Sequence, residues 1–225
     1  MFENLKPRNP GPEMLRALEE RMRAPKWGGA VFLGRKECLL DFCEYDRETL
    51  RRIGKRPEDI SSRLDELTRS YKGECMREGS WSKTDYDKYG GRVLRKDGLV
   101  ISGVRYPTYP EFCPFGPEIR VKGWSPLRGL LVGEGSGADL YQACEGQQDL
   151  GTWDFYVERA DKGEVIFFGD LVIHLIEAHH FSEGRVTKYR LDPLRAAYVL
   201  GMIDEATYGA EKPRERLYDP NMSGD

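Results

Sequence analysis

The sequence lacks the long apolar run of a membrane helix and the apolar leader of a secreted protein. A membrane span takes about 20 consecutive apolar residues, and the longest candidate, Val165 to Ile176, is interrupted by Gly169, Asp170 and His174. The first ten residues include one acidic residue, Glu3, and two prolines where a secretory signal has a continuous apolar stretch. We therefore expect a soluble, cytoplasmic protein without a membrane partner.

Cysteine motifs and nucleotide-binding motifs are missing as well. The five cysteines are odd in number and include no C-x-x-C pair, which is typical of reduced thiols in a cytosolic protein. The glycine-rich stretch from Val132 to Ala138 is not followed by Lys-Ser or Lys-Thr, so it carries neither the Walker nor the dinucleotide signature. No serine or cysteine stands in a nucleophile motif. These absences favour a protein that is not an enzyme.

Charge is abundant but balanced between the two signs. Charged residues make up 32% of the chain, and the net charge is −3, as in a globular protein with a heavily ionised surface. A nucleic-acid partner, if the protein has one, is predicted to bind a local basic segment: Arg47, Arg51, Arg52, Lys55, Arg56 and Arg63. Acidic residues lie among these side chains, so a solvated surface of mixed charge is the favoured interpretation, and another protein is the favoured partner.

Apolar periodicity divides the chain into a helical N-terminal part with an N-terminal arm, a strand-rich core and a flexible tail: residues 1–72, 90–208 and 209–225. In the first part, helices are predicted from Pro12 to about Arg23 and from Pro57 through Tyr71, because apolar residues recur every three or four positions. Short strands are predicted at Ala30 to Leu33 and at Glu37 to Tyr45. Asp46 is then predicted to cap a short helix that ends near Ile53.

The strand-rich part contains two predicted hairpins. The first surrounds Lys96-Asp97-Gly98, whose Asp-Gly pair suits a type I′ turn, and the second joins Trp153 to Val157 with Glu164 to Phe168. A helix from about Gly169 to His180 and another that opens at Asp192 follow, the latter with Leu194, Ala197, Tyr198 and Ile203 as its apolar face. Further strands are predicted at 118–122, 127–132 and 138–144. The expected fold class is α+β, with an antiparallel sheet in the C-terminal two-thirds packed against two helices.

All three histidines lie in one short segment, as His174, His179 and His180. Histidine changes its charge near neutral pH and is the commonest metal ligand. At about 100° per residue, a helix places Asp170, His174 and Glu177 on one face and His179 roughly opposite, within the apolar stripe. The simplest interpretation is an amphipathic helix with ordinary acid–histidine pairs on its surface and no ligand.

A metal site is the second interpretation of this segment. The order strand, turn, strand, helix and the His174-x4-His179 spacing resemble the ββα zinc finger, over Trp153 to His180. That resemblance implies a structural zinc ion held by two cysteines and two histidines. The hairpin itself contains no cysteine, so the predicted ligands are His174, His179, Cys113 and Cys144. Because roughly 140° of helix separates the two histidines, such a site requires the last helical turn to unwind.

Catalysis on the Asp170, His174 and Glu177 face is the third interpretation. Asp170 would fix the histidine tautomer, His174 would act as general base, and Glu177 would position a water or join a metal. The reaction would be metal-dependent hydrolysis, nucleic-acid cleavage included, although the pattern is neither H-E-x-x-H nor H-x-x-E-H. A non-enzymatic interaction or accessory protein with a structural zinc site is the first hypothesis, and the hydrolase is the alternative.

Overall fold

The computed structural model describes residues 12–24, 31–75, 92–105, 113–115 and 151–212. Within these ranges, six helices and one four-stranded antiparallel sheet form an α+β fold, so the expected fold class is confirmed. Among the described helices, none combines the length and the apolar character that crossing a bilayer requires. The helices are α1 (Pro12–Arg23), α2 (Leu39–Arg52), α3 (Pro57–Cys75), α4 (Leu171–His179), α5 (Pro193–Val199) and α6 (Glu205–Glu211).

The sheet is built from the two predicted hairpins. Its strands are β1 (Arg92–Lys96), β2 (Leu99–Arg105), β3 (Trp153–Arg159) and β4 (Glu164–Gly169). They lie in the order β1-β2-β3-β4, and each strand is antiparallel to its neighbour. At the first turn, Asp97 and Gly98 have φ angles of 53° and 77°, and two positive angles are what a type I′ turn needs. The Asp-Gly prediction is therefore confirmed.

Residues 39–52 form a helix, so the strand predicted over Glu37 to Tyr45 is wrong. The buried residues Leu39, Phe42 and Asp46 recur at spacings of three and four, which places them on one helical face. The prediction followed the apolar composition of this run and missed that spacing. Asp46, predicted as an N-cap, instead lies inside α2, where it is only 2% exposed.

The helix that opens at Asp192 is shorter than predicted. Its N-terminus forms as expected, because the Asp192 carboxylate accepts a hydrogen bond from a backbone amide and Pro193 follows it. The helix ends at Val199, and Gly201 takes a φ of 73°. Ile203 therefore lies beyond α5, and its predicted place on the apolar face of that helix is wrong.

Several predictions fall wholly or partly on residues that the structure does not describe. The predicted strand at Ala30 to Leu33 is wrong for residues 31–33, which have irregular backbone. α6 extends to Glu211, so the first residues of the predicted tail are helical. Outside the described residues lie the predicted strands at 118–122, 127–132 and 138–144, the N-terminal arm, Cys144 and residues 213–225. The predicted division into three parts stays a prediction.

Two apolar cores meet at α4. The first, here called the sheet core, lies between the inner face of the sheet and the helices α3, α4 and α5, and it includes Tyr71, Ile101, Phe155, Val157 and Phe168. The second, the helical core, includes Leu18, Met22, Phe32, Leu33, Leu39, Phe42 and Phe181. α4 supplies Val172, Ile173 and Ile176 to the sheet core and Leu171 and Leu175 to the helical core. Every residue from 171 to 176 is consequently buried.

A buried ion pair connects α2 to the segment between α4 and α5. Both terminal nitrogens of Arg190 donate to the Asp46 carboxylate, one of them at 2.7 Å, and Arg190 also donates to the Glu183 carbonyl at 2.8 Å. The side chains of Arg190 and Asp46 are 10% and 3% exposed. A two-pronged arginine–carboxylate contact fixes geometry as well as charge, so this pair holds the segment in a defined position on α2.

Candidate metal centre

Cys113, His174 and His179 come together at the C-terminal end of α4. One ligand atom from each residue, the sulfur of Cys113 and a ring nitrogen of each histidine, lies within 4.8 Å of the other two, close enough to hold a metal ion. Cys113 Sγ is 3.3 Å from His179 Nε2. The two imidazole rings are nearly perpendicular, with centroids 5.3 Å apart. Three of the four predicted ligands therefore meet, and the fourth, Cys144, lies outside the described residues.

Two histidines five residues apart reach one site although α4 continues through the second of them. The His180 amide donates to Ile176, in the α-helical pattern, and the Phe181 amide donates to Leu175. His179 is still the last helical residue. The predicted unwinding of the last turn is thus wrong, since the chain remains helical through His179.

Aromatic contacts hold the segment 113–115 against the end of α4. The Phe115 ring is stacked on the His179 imidazole, with centroids 3.8 Å apart and planes 10° apart. Phe115 also meets Phe181 edge-on at 6.1 Å, and Arg21 donates to the Pro114 carbonyl at 3.1 Å. The sequence gives no signal for this stacking, because it depends on two segments that are distant in the chain.

The three ligands form a donor set of one sulfur and two nitrogens in a largely closed setting. His174 is 8% exposed, whereas Cys113 and His179 are half-buried. The thiolate is the form of cysteine that binds metals. Sulfur together with imidazole nitrogen is a combination that suits zinc.

A second thiol, Cys43, lies near His179 but belongs to a different environment. Its Sγ lies 4.0 Å from the carbonyl oxygen of His179, to which the thiol donates. Burial, reinforced by the nearby carboxylate of Asp46, raises the pKa of Cys43 to about 12. The thiol therefore keeps its proton at neutral pH, and its sulfur lies outside the cluster formed by Cys113, His174 and His179.

The predicted catalytic residues do not share an exposed face. One oxygen of Asp170 accepts hydrogen bonds from the backbone amides of Thr152 and Trp153, at 3.0 and 3.1 Å. The other oxygen accepts from Lys72 Nζ at 2.9 Å. Asp170 thus connects α3 and the start of β3 to the start of α4. His174 is buried and Glu177 is exposed, so the open face predicted for His174 is wrong.

The third histidine points away from the metal centre. His180 has a φ of 53°, in the left-handed region that often ends a helix. Its Nε2 lies 3.1 Å from a carboxylate oxygen of Glu58 on α3. The sequence cluster of three histidines therefore separates into two residues at the candidate metal centre and one that contacts α3.

The basic segment from Arg47 to Arg63 is a surface of mixed charge. Each of its five arginines forms an ion pair with a carboxylate, in the pairs Arg47–Glu44, Arg51–Glu48, Arg52–Glu211, Arg56–Asp59 and Arg63–Glu66. The carboxylates in these pairs neutralise positive charge that would otherwise attract the phosphates of a nucleic acid. Nucleic-acid binding through this segment stays a prediction.

Comparisons of the chain with protein-family models, with curated proteins and with solved structures give no match. The order of strand, turn, strand and helix that resembles a zinc finger is present in β3, β4 and α4. Its cysteine, however, comes from the segment 113–115 and not from the hairpin. Inferences about function therefore depend on the geometry of the described residues.

Proposed function

We propose that the protein is a non-enzymatic interaction protein in which one structural zinc ion fastens the segment 113–115 to α4. The convergence of Cys113, His174 and His179 carries this proposal. The ligands come from two segments far apart in the chain, so a bound ion would act as a cross-link between them. A metal that binds only the folded chain adds its binding free energy to stability.

One ligand separation supports a tetrahedral ion. With Zn–S near 2.3 Å and Zn–N near 2.0 Å, a tetrahedral angle places sulfur and nitrogen about 3.5 Å apart. Cys113 Sγ and His179 Nε2 are 3.3 Å apart. A zinc ion could therefore bind between these two atoms with only a small adjustment.

The closed setting favours a structural ion over the metal-dependent hydrolase. Structural zinc sites are enclosed by protein ligands, whereas catalytic sites keep a position open for water and substrate. His174 is buried between the two cores, and Phe115 covers one face of His179. Asp170, the predicted tautomer-fixing acid of the hydrolase, is already engaged by two backbone amides and Lys72.

The proposed partner is another protein, and the proposed location is the cytoplasm. The ion-paired arginines of the basic segment favour a protein partner over a phosphate backbone. A reducing compartment would keep Cys113 available as a thiolate ligand. Cys144 remains the proposed fourth ligand.

Metal analysis of the purified full-length chain tests the zinc site. After washing with a weak chelator, elemental analysis should find one zinc per chain in the wild type and almost none in Cys113→Ser. Cys43→Ala is the matched control, because it removes a neighbouring thiol outside the ligand cluster, and it should keep its zinc. Cys144→Ser should also reduce zinc retention. A wild-type chain without zinc would contradict the proposal, as would full zinc content in Cys113→Ser.

A His174→Gln variant separates a structural ion from a catalytic one. For a structural ion, a strong chelator should lower the melting temperature of the wild type and leave that of the variant nearly unchanged, since the variant has already lost the ion. A catalytic ion predicts instead that the metal-loaded wild type has a hydrolytic activity, and that His174→Gln loses this activity while the protein stays folded. That second outcome would replace the structural proposal by the hydrolase.

A further inference from the structure

The outer face of the sheet carries three adjacent aromatic rings that are separate from the metal centre. Tyr156 on β3 and Phe167 on β4 are cross-strand partners, with ring centroids 4.5 Å apart. Tyr189, from the segment between α4 and α5, lies 5.3 Å from Phe167 with the planes 29° apart. Side chains alternate between the two faces of a sheet, and the neighbours Phe155 and Phe168 face the sheet core. Tyr156, Phe167 and Tyr189 are called the aromatic platform below.

The ammonium group of Lys188 lies next to two rings of this platform. The Lys188 ammonium lies 4.6 Å from the centroid of the Tyr189 ring and 5.4 Å from that of Phe167. Both distances fall within the roughly 6 Å over which a cation is attracted to a ring face. The Lys188 side chain is nevertheless 59% exposed, so the occupied position opens to solvent.

A buried carboxylate completes the surroundings of the cation. Asp154 is 7% exposed, and its Oδ2 accepts a hydrogen bond from the Tyr189 hydroxyl at 3.1 Å. The Lys188 ammonium lies 3.5 Å from the same oxygen and donates to the Tyr189 hydroxyl at 3.0 Å. Ring faces and a fixed negative charge therefore meet at one position.

We propose that Tyr156, Phe167, Tyr189 and Asp154 form a binding site for a quaternary ammonium cation, which Lys188 occupies until the ligand displaces it. Aromatic faces combined with a carboxylate are the groups that recognise quaternary ammonium in proteins. A primary ammonium from outside would gain nothing over Lys188, because the tethered lysine has the advantage of a high local concentration. A quaternary ammonium offers methyl groups to the rings and gives up less hydration, so it can compete. Choline and the side chain of trimethyllysine share this chemistry.

Titration of choline and of free trimethyllysine into the full-length protein tests the site. Binding is followed through the N-methyl proton resonance by saturation-transfer NMR. Lys188→Ala should bind about fivefold to tenfold more tightly than the wild type, because removing a competing cation raises the fraction of open sites. Lys162→Ala is the matched control. The Lys162 ammonium forms an ion pair with Glu205 at 2.6 Å and does not belong to the platform. This variant should bind both cations as tightly as the wild type does.

Two further comparisons make the result decisive. The neutral isostere 3,3-dimethyl-1-butanol has the shape of choline without its charge, so it should not bind. Phe167→Leu, introduced into Lys188→Ala, should abolish binding of the cations. If a thermal melt shows that this double variant is unfolded, Tyr189→Leu in Lys188→Ala is tested in its place. If the protein binds one of the two cations more tightly than the other, that cation identifies the kind of ligand, and the site is supported in either case. The proposal would be overturned if Lys188→Ala bound neither cation, or if it bound the neutral isostere as tightly as choline.

Discussion

Cys43 and Cys113 both lie beside His179, but their sulfur atoms have different surroundings. The Cys43 thiol donates to the backbone carbonyl of His179, whereas Cys113 Sγ faces the ring nitrogen. Burial raises the pKa of Cys43 to about 12, whereas Cys113 Sγ lies in one cluster with ring nitrogens of His174 and His179. At the scale of residues, one thiol is therefore a candidate ligand and the other a neutral part of the packing.

Replacing Cys43 should flatten the loss of stability at alkaline pH. The folded chain keeps this proton up to about pH 12, while an unfolded thiol loses it near the ordinary value of 9.0. Between these values the native state binds more protons, so stability falls as pH rises. The slope due to Cys43 is at most about 1.4 kcal/mol per pH unit. Urea unfolding of the metal-free wild type and Cys43→Ala at pH 8, 9.5 and 10.5 should show the difference, and parallel pH dependences would contradict it.

The sequence predicts the candidate ligands by residue type but does not predict their neighbours. Histidine and cysteine are recognisable as ligand types wherever they occur, and on that basis the sequence predicts His174, His179 and Cys113 as ligands. Two contacts join segments that are separated in the chain. The Phe115 ring stacks on His179, and the Trp153 amide donates a hydrogen bond to Asp170. No local pattern encodes those contacts.

At the scale of elements, local signals succeed where the turn or the period itself decides the structure. The Asp97-Gly98 turn requires positive φ angles that few residues accept, so its dipeptide was enough to predict the hairpin. α2 was missed because its apolar composition also suits a strand, and only the spacing of Leu39, Phe42 and Asp46 distinguishes the two. The approach of His174 and His179 at the end of α4 has no such local signal.

Two glycine substitutions should have opposite effects on stability. Gly98 has a φ of 77°, whereas Gly73 lies in α3, and an added Cβ at either position meets no atom of the described residues within 4 Å. Gly98→Ala should therefore cost about 1 kcal/mol through backbone strain alone. Gly73→Ala should stabilise by about 0.5 kcal/mol, because alanine loses less entropy in a helix. Urea unfolding of both variants measures the effects, and a Gly98→Ala protein as stable as the wild type would refute the strain argument.

At the scale of the whole molecule, the main feature of the fold is the way in which the helical core and the sheet core are joined. α4 lies between them, and the Asp46–Arg190 pair holds the segment that follows α4 onto α2. The sequence predicts an amphipathic α4 with His174 on an open face. That prediction fails because two cores cover the helix, and assembly of two layers around one helix cannot be deduced from its own period.

Breaking the buried ion pair should destabilise the chain strongly. Arg190→Leu leaves the Asp46 carboxylate buried without its partner, and removing one member of such a pair costs about 3–5 kcal/mol. The double variant Asp46→Leu/Arg190→Leu should recover part of that loss, because no buried charge remains. Arg51→Leu is a matched control at an exposed pair and should lower the free energy of unfolding far less than Arg190→Leu does, because solvent screens that pair. Urea unfolding of the wild type and the three variants checks this, and a double variant no more stable than Arg190→Leu would contradict it.

The burial of α4 has a consequence for how this sequence can change over time. Substitutions accumulate fastest where a side chain meets only water, and from Leu171 to Glu177 that condition holds for Glu177 alone. The solvent-facing arginines of α2 carry no such restriction. We expect the stretch from Leu171 to Ile176 to diverge more slowly among relatives than α2 does. A search for distant relatives would accordingly do better to start from α4 than from the charged surface.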